Sequence, residues 1–257
     1  LFPDHTFWNW IEASTPPWDI VSARLSQASA KVPWEERKPQ AFFRGADTSP
    51  SRKELAEQLK SRQLDHFNVE IYSGPDRYGR EDGKRARVFT TLEEHCGFQY
   101  LLHLPGVSYA ARLKYLLLCN STVIAPMLGK SGSQKKGGWF EFYYPALKAG
   151  THFVDSGSIS DLSNTVTALK EDEPFAQKVA QQGHAWALEH LSMDGIWCYW
   201  KQLLVKYAEL QRFRVVLHKE ARACEDSVAD PQPSMRRCET GAGGGGGESG
   251  GAGGAFE

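Results

Sequence analysis

The sequence predicts an α/β fold of Rossmann-like type, a parallel sheet with helices on both faces. Three observations predict it. Short apolar runs of strand length recur between residues 41 and 156; helical patterns stand between them; and residues 161 to 213 read as successive helices with no strand among them.

The opening LFPDHTFWNW, followed by Trp18 and Trp34, is aromatic-rich and broken by Pro16-Pro17, so residues 1–40 read as an irregular lead-in or inter-lobe segment. QAFFRG is a buried strand stopped at Gly45. Thr48-Ser49-Pro50 then supplies helix-start chemistry, with Ser49 as N-cap and proline at the first helical position, ahead of a helix through Leu55 and Leu59. LDHFNVEIYS alternates apolar and polar residues as a half-buried strand does, and Gly74 to Arg87 reads as a loop. FQYLLHL, residues 98 to 104, is the next buried strand. Pro105-Gly106 breaks it, and GVSYAARLKYLLLC, residues 106 to 119, reads as a helix. STVIAPM and THFVDS, residues 151 to 156, complete the set of strands. Three helices follow, Asp161 to Glu171, Pro174 to Leu191 and Met193 to Phe213, so the folded domain is placed at 41–213. Residues 214–257 turn glycine-rich and have nothing to bury; a disordered tail is expected there.

Composition narrows the function. The chain has 257 residues, 41% of them hydrophobic, and a net charge of −1, which suits a sizeable core and argues against a nucleic-acid partner. No apolar run approaches the roughly 20 residues of a membrane span. The first residue is Leu, and the chain reads as a fragment whose targeting segment would lie upstream. Cys96 and Cys119 flank a strand and a helix and read either as a disulfide or as two buried thiols; Asn120-Ser121-Thr122 directly after them is an N-glycosylation acceptor pattern. No cysteine or histidine spacing suits a structural zinc, and His95, His103, His152 and His190 are scattered.

In a parallel α/β sheet, ligands sit outside the carboxyl ends of the strands. Gly106 lies at such a point, and a helix beginning there would offer its unpaired N–H groups to phosphate oxygens. Arg112, about a turn and a half into that helix, and Arg44, at the end of QAFFRG, would converge on the same anion. The bland reading makes both surface cations. No GxGxxG follows any of the strands, which excludes the common nicotinamide fingerprint, and Gly129-Lys130-Ser131 lacks the upstream glycine of a P-loop; residues 129 to 138 read as a basic insertion. Glu141, inside WFEFYYPALKAG, stands among aromatics. It could accept bonds from sugar or ribose hydroxyls, or face solvent beside a core cluster. Trp197, Tyr199 and Trp200 read as core packing.

Four stretches, AFFRGADTSPSR, EEHCGFQYLLHLPGVSYAARLKYLLLCNS, FEFYYPALKAGTHFVD and HLSMDGIWCYWKQLLVKY, resemble the Rumi-type protein O-glucosyltransferases, also called the capsule-associated-protein family. The resemblance implies the two-lobed GT-B fold, with this chain as the C-terminal nucleotide-sugar-binding lobe. It implies inverting, metal-independent transfer of a sugar, with glucose expected, from a UDP-sugar to a serine hydroxyl of a protein or to a glycan. Arg44 and the segment Val107, Ser108, Tyr109, Ala110, Ala111 and Arg112 would be the UDP-sugar contacts, with Glu141 beside them, and UDP-sugar would be the donor substrate with no cofactor or metal. It further implies a Cys96–Cys119 disulfide, a secretory-pathway lumen (endoplasmic reticulum or Golgi), and an unpaired Cys198. Pro105 and the insertion at 129 to 138 depart from the animal enzymes. The family's catalytic base aligns upstream of Leu1, so Asp4 is not that residue and the chain alone is expected to bind donor weakly and turn over slowly. The alternative is a sugar-nucleotide-binding or scaffold protein that kept the fold and lost catalysis. A phosphate-binding hydrolase ranks last, because no nucleophile can be read.

Overall fold

The computed structural model describes residues 1–10, 15–61, 65–72, 90–126, 128, 140–214 and 216. The loop expected at 74–87, the insertion at 129–138 and the tail from 217 lie outside them. Four parallel strands form one sheet: β1 (Lys38–Ala46), β2 (Phe67–Tyr72), β3 (Phe98–Leu102) and β4 (Thr122–Ile124), in the order β2-β1-β3-β4. Seven helices accompany them among the described residues: α1 (Trp18–Lys31), α2 (Pro50–Ser61), α3 (Leu92–His95), α4 (Leu113–Leu117), α5 (Leu162–Glu171), α6 (Glu173–His190) and α7 (Met193–Leu210).

Strand periodicity divides the core into two layers. Phe42, Leu101 and Val123 point into one cluster, with Trp18, Val21 and Leu25 of α1, Leu113 to Leu118 around α4, Trp186 of α6 and Ile196 of α7. Their neighbours Phe43, Tyr100, Leu102 and Ile124 point the other way, onto Leu55 of α2, Leu162, Val166 and Leu169 of α5, and Ala176 and Ala180 of α6. A strand buried on both faces needs apolar residues at consecutive positions, and the runs AFF, YLL and TVI supply them. The expected α/β sheet covered on both faces is what forms.

Local signals explain most element boundaries. Ser49 Oγ accepts from Arg52 N at 3.4 Å at the start of α2, as expected. Asp172 caps α6 at Phe175 N and Ser192 caps α7 at Gly195 N. Thr91 and Glu94 form a reciprocal capping box that opens α3, a signal the sequence reading passed over.

Three expectations about the secondary-structure elements are corrected. The lead-in read as irregular contains α1, 14 residues long. Pro17 ends the extended segment, and Trp18, Val21 and Leu25, spaced i, i+3 and i+7, bury one face, so this segment belongs to the same core as the sheet. The strand expected at 151–156 makes only isolated bridges, Val154 to Ile124 and Phe153 to Ala149. Turns confine it on both sides: Gly150, at φ 75°, donates its N–H to Phe153 O, and Gly157, at φ 80°, donates to Asp155 Oδ1. The helix expected from Gly106 begins only at Leu113, with Arg112 at the N-cap position. Val107 is 84% exposed, so a helical turn there would have had no apolar face to bury, and side-chain bonds from Tyr109 and Arg112 hold the intervening residues in another path.

Cys96, which caps α3, is joined to Cys119, just after α4, in a disulfide with sequence separation 23. The expected pairing is present. Cys198 is also disulfide-bonded, which corrects the expectation of an unpaired thiol there.

Candidate functional site

The strand order reverses direction between β1 and β3, and the loops leaving those two strands part to either side. A cleft of about 1100 Å³ opens at that point, lined by Arg44 and Gly45 from the end of β1, by Gly106 and Ser108 through Arg112 after β3, and by residues of α1, α3 and the 3₁₀ turn at His5–Phe7. Six of the eight expected contact residues therefore share one wall: Arg44, Ser108, Tyr109, Ala110, Ala111 and Arg112. Val107 faces solvent, and Glu141 lies behind the wall instead of in the cleft.

Charge in the cleft is one-sided. Arg24, Arg44, Arg52 and Arg112 line it, against Glu93 as the one carboxylate among the described lining residues. His95, also on the wall, is held neutral, its pKa pulled down to about 4 by burial and by the nearby arginines.

How each arginine uses its donors separates structural cations from available ones. A guanidinium has five N–H donors. Arg37, buried away from the cleft, bonds Val32 O, Ser29 O and the carbonyls of Cys119 and Asn120, and so stitches α1 to the turn before β4. Arg44 bonds Phe43 O, Asn68 O and Asn68 Oδ1, and its Nε pairs with Glu70 at 3.2 Å on β2. Among the described residues Arg112 makes a single hydrogen bond, Nη1 to Arg44 O at 2.7 Å, with its guanidinium 4.8 Å from the centre of the Phe43 ring. It pairs with no carboxylate among the described residues. Desolvation, helped by the charge of Arg52, brings its pKa down to about 9, still cationic at pH 7. Gly45 leaves room for it: a Cβ there would lie 3.3 Å from Arg112 Nη2 and 3.0 Å from the Phe43 ring. Because α4 has five residues and starts at Leu113, the helix terminus expected to cradle phosphate at Gly106 is not formed. The positive charge at the cleft therefore comes from its arginines and not from a helix terminus.

Behind the wall lies a buried polar cluster that the sequence reading missed. Lys114 is fully buried, with Nζ donating to Thr6 Oγ1 and lying 3.8 Å from Asp4 and 3.9 Å from Glu141. Asp4 also accepts from Thr6 N at 3.1 Å and from the Tyr109 hydroxyl, so the cluster grips the cleft wall through Tyr109. Tyr143 donates to Glu141 at 3.0 Å. Burial alone would raise the Asp4 pKa, but Lys114 and these hydrogen bonds together hold it below its ordinary value. Glu141 goes the other way: burial, opposed by Lys114 but aided by Asp4, lifts it from 4.5 to about 7. An acid whose folded-state pKa is raised contributes stability that is fully present below about 4.5 and is lost as pH rises through about 7. Glu141→Gln should therefore remove a fall in stability between those pH values, seen as urea midpoints that no longer decline from pH 5 to 8. A decline unchanged in the variant would show that Glu141 does not titrate there.

Asn120 sits in the turn before β4 at φ 50°, with its Oδ1 buried, and Thr122 of the same acceptor pattern is closed under α6, donating to Ala176 O. Among the described residues no cluster of His, Cys, Asp or Glu could hold a metal ion, and no helix is long and apolar enough to cross a membrane.

The family model described as glycosyl transferase family 90 matches residues 1–240. The chain belongs to glycosyl transferase family 90. Rat protein O-glucosyltransferase 1 is 31% identical over 230 residues, covering 86% of this chain and 56% of the rat protein. The O-glucosyltransferase rumi of Drosophila melanogaster is 30% identical over 233 residues, covering 84% of this chain and 53% of the fly protein. The family 90 chain thus spans about half the length of these curated relatives. Among solved structures, Anabaena Alr3699/HepE in complex with UDP-glucose matches with a TM-score of 0.38 at 15% identity, over 73% of this chain and 45% of that one. The resemblance read from the motifs is borne out at the level of the family.

Proposed function

We propose that this chain is the nucleotide-sugar-binding lobe of an inverting glycosyltransferase that moves a sugar, glucose in the first instance, from a UDP-sugar to a hydroxyl of a protein serine or a glycan. The observation that carries the reading is Arg112. It is a partly buried guanidinium that, among the described residues, makes one hydrogen bond and pairs with no carboxylate, set in the wall of a cleft at the β1/β3 switch point. Family membership and the names of the relatives support the same donor chemistry.

As the bond from the anomeric carbon to the diphosphate breaks, negative charge develops on the leaving oxygens, and a fixed cation there lowers the barrier. Arg112 would meet that charge, with Arg44 at the rim. The acceptor hydroxyl attacks from the opposite face, which inverts the anomeric centre, and must give up its proton as it does so. In this reading the base comes from outside the described residues. The arginines do the work a divalent ion would otherwise do, so excess EDTA should leave UDP affinity unchanged in a calorimetric titration; affinity lost to EDTA and regained with added divalent ion would contradict this. The Cys96–Cys119 bridge, which needs an oxidising compartment to persist, supports a secretory-pathway lumen, endoplasmic reticulum or Golgi.

A further inference from the structure

Behind the cleft wall, two carboxylates share one ammonium. Lys114 Nζ lies 3.8 Å from Asp4 and 3.9 Å from Glu141, where Lys114 is sealed from water and Glu141 is 5% exposed. With both acids ionised the cluster would hold a net negative charge away from solvent, which is costly. One proton on an acid balances it, and the hydrogen bonds decide which acid. Asp4 accepts from Thr6 N at 3.1 Å, from Thr6 Oγ1 at 2.6 Å and from the Tyr109 hydroxyl, whereas among the described residues Glu141 accepts from Tyr143 alone, at 3.0 Å. Bonds to the charged form favour it, so Asp4 keeps its charge and Glu141 takes the proton. In agreement, burial, opposed by Lys114 and aided by Asp4, pushes Glu141 up to about 7.

The transfer chemistry leaves this proton unused, yet it lies beside the cleft. Asp4 holds Tyr109, and Tyr109 stands in the same wall as Arg112. Ionisation of Glu141 would place an unbalanced charge behind that wall and set a second carboxylate against Asp4. We propose that Glu141 is a positioning residue for the donor site, acting through Lys114, Asp4 and Tyr109, and that its proton makes donor binding tighter below neutral pH than above it. The inference rests on the reading of the cleft as a nucleotide-sugar site. Around Glu141 stand Lys114 and Tyr115 from α4, Asp4 from the N-terminal turn, Tyr109 from the loop after β3, and Tyr143 and Tyr144 beside it. Burial raises these tyrosines above their ordinary value, and Asp4, raised by burial but lowered further by Lys114 and its hydrogen bonds, stays below its own; neither kind changes charge between pH 5 and 8. Burial lowers Lys114, against the pull of the two carboxylates.

The competing role is a buried cluster that only holds α4 to the N-terminal turn. UDP-glucose separates the two, because its diphosphate is a diester and loses no proton in this pH range. Its affinity for the full chain would be measured by calorimetry from pH 5 to 8 for wild type, Glu141→Gln and Asp4→Asn, with thermal midpoints as the check on folding. The expected result is a wild-type Kd that rises about threefold or more from pH 5 to 8, the scale of one charge acting across a partly shielded wall. Glu141→Gln, which fixes the neutral form, should stay within about twofold of the wild-type value at pH 5 throughout. Asp4→Asn removes the opposing carboxylate and should move the transition to lower pH. His5 also lines the cleft but is common to wild type and Glu141→Gln, so the difference between their profiles reports Glu141. By reciprocity, wild type and His5→Gln should both take up protons on binding UDP-glucose at pH 7, read from the buffer dependence of the binding enthalpy; this decides the matter should Glu141→Gln fail to fold. The same pH dependence in wild type and Glu141→Gln, as expected were Lys114 the titrating group, would overturn the assignment. So would no dependence in either, or no proton uptake. UDP-glucose bound without that dependence leaves the nucleotide-sugar reading standing, whereas a folded wild type that binds no UDP-glucose at any pH overturns both.

Discussion

Arg112→Ala is expected to weaken UDP binding by roughly 1.5–3 kcal/mol, the range for a hydrogen bond to a charged group. That corresponds to about a ten- to hundredfold rise in Kd. The reasoning is one of leftover capacity. Among the described residues Arg112 makes one hydrogen bond, to Arg44 O, and faces a cleft lined by four arginines and one carboxylate. Its removal takes a partner from the phosphates and creates no unpaired group except that carbonyl, so the folded chain should survive. The same substitution at Arg37, whose donors knit α1 to the turn before β4, should act on stability and leave the ratio of UDP to uridine affinity unchanged. If Arg112→Ala bound UDP as wild type does while remaining folded, the phosphates would have to lie elsewhere.

The largest effect on stability should come from Lys114→Met. The side chain fits a fully buried position, but the change leaves Asp4 and Glu141 facing each other without their cation. Breaking a buried pair by removing one partner costs about 3–5 kcal/mol, because a charge is left buried and uncompensated. The raised pKa of Glu141 gives the cluster an escape by protonation, so the loss should be smaller at pH 5 than at pH 8. Adding Glu141→Gln to Lys114→Met should restore part of the stability, a coupling that chemical denaturation of the four proteins in the cycle would measure. Additivity within a few tenths of a kcal/mol would mean that the two groups do not interact. Because Asp4 accepts from Tyr109 on the cleft wall, Lys114→Met should also weaken UDP binding, more mildly than Arg112→Ala.

Much of this could be read from the chain before its fold was known, and the exceptions have physical causes. Apolar runs of strand length identify β1, β3 and β4 because a strand buried on both faces cannot alternate. THFVDS has the same composition and fails as a strand because the turns at Gly150 and Gly157 leave it room for one bridge to β4. The α1 helix was legible in the spacing of Trp18, Val21 and Leu25, but two prolines and a high aromatic content masked it. Arg112 was found because it follows a strand end. Arg52 was not, since the third residue of a capped helix ordinarily faces water, and only the pairing of β1 with β3 encloses it. Lys114 stands in an apolar run, LKYLLLC, where its burial follows from Asp4 and Glu141, partners more than a hundred and more than twenty positions away. Glu141 was singled out for its aromatic setting, which is correct, but whether it faces ligand or lysine depends on those same distant contacts.

The central claim is that a nucleoside diphosphate occupies the cleft between the ends of β1 and β3. Calorimetric titration of UDP into the wild-type chain tests it most directly. The account predicts saturable binding of one UDP per chain, tighter than uridine, with UDP-glucose competing for the same site. A folded chain that bound neither UDP nor UDP-glucose at millimolar concentration would contradict it.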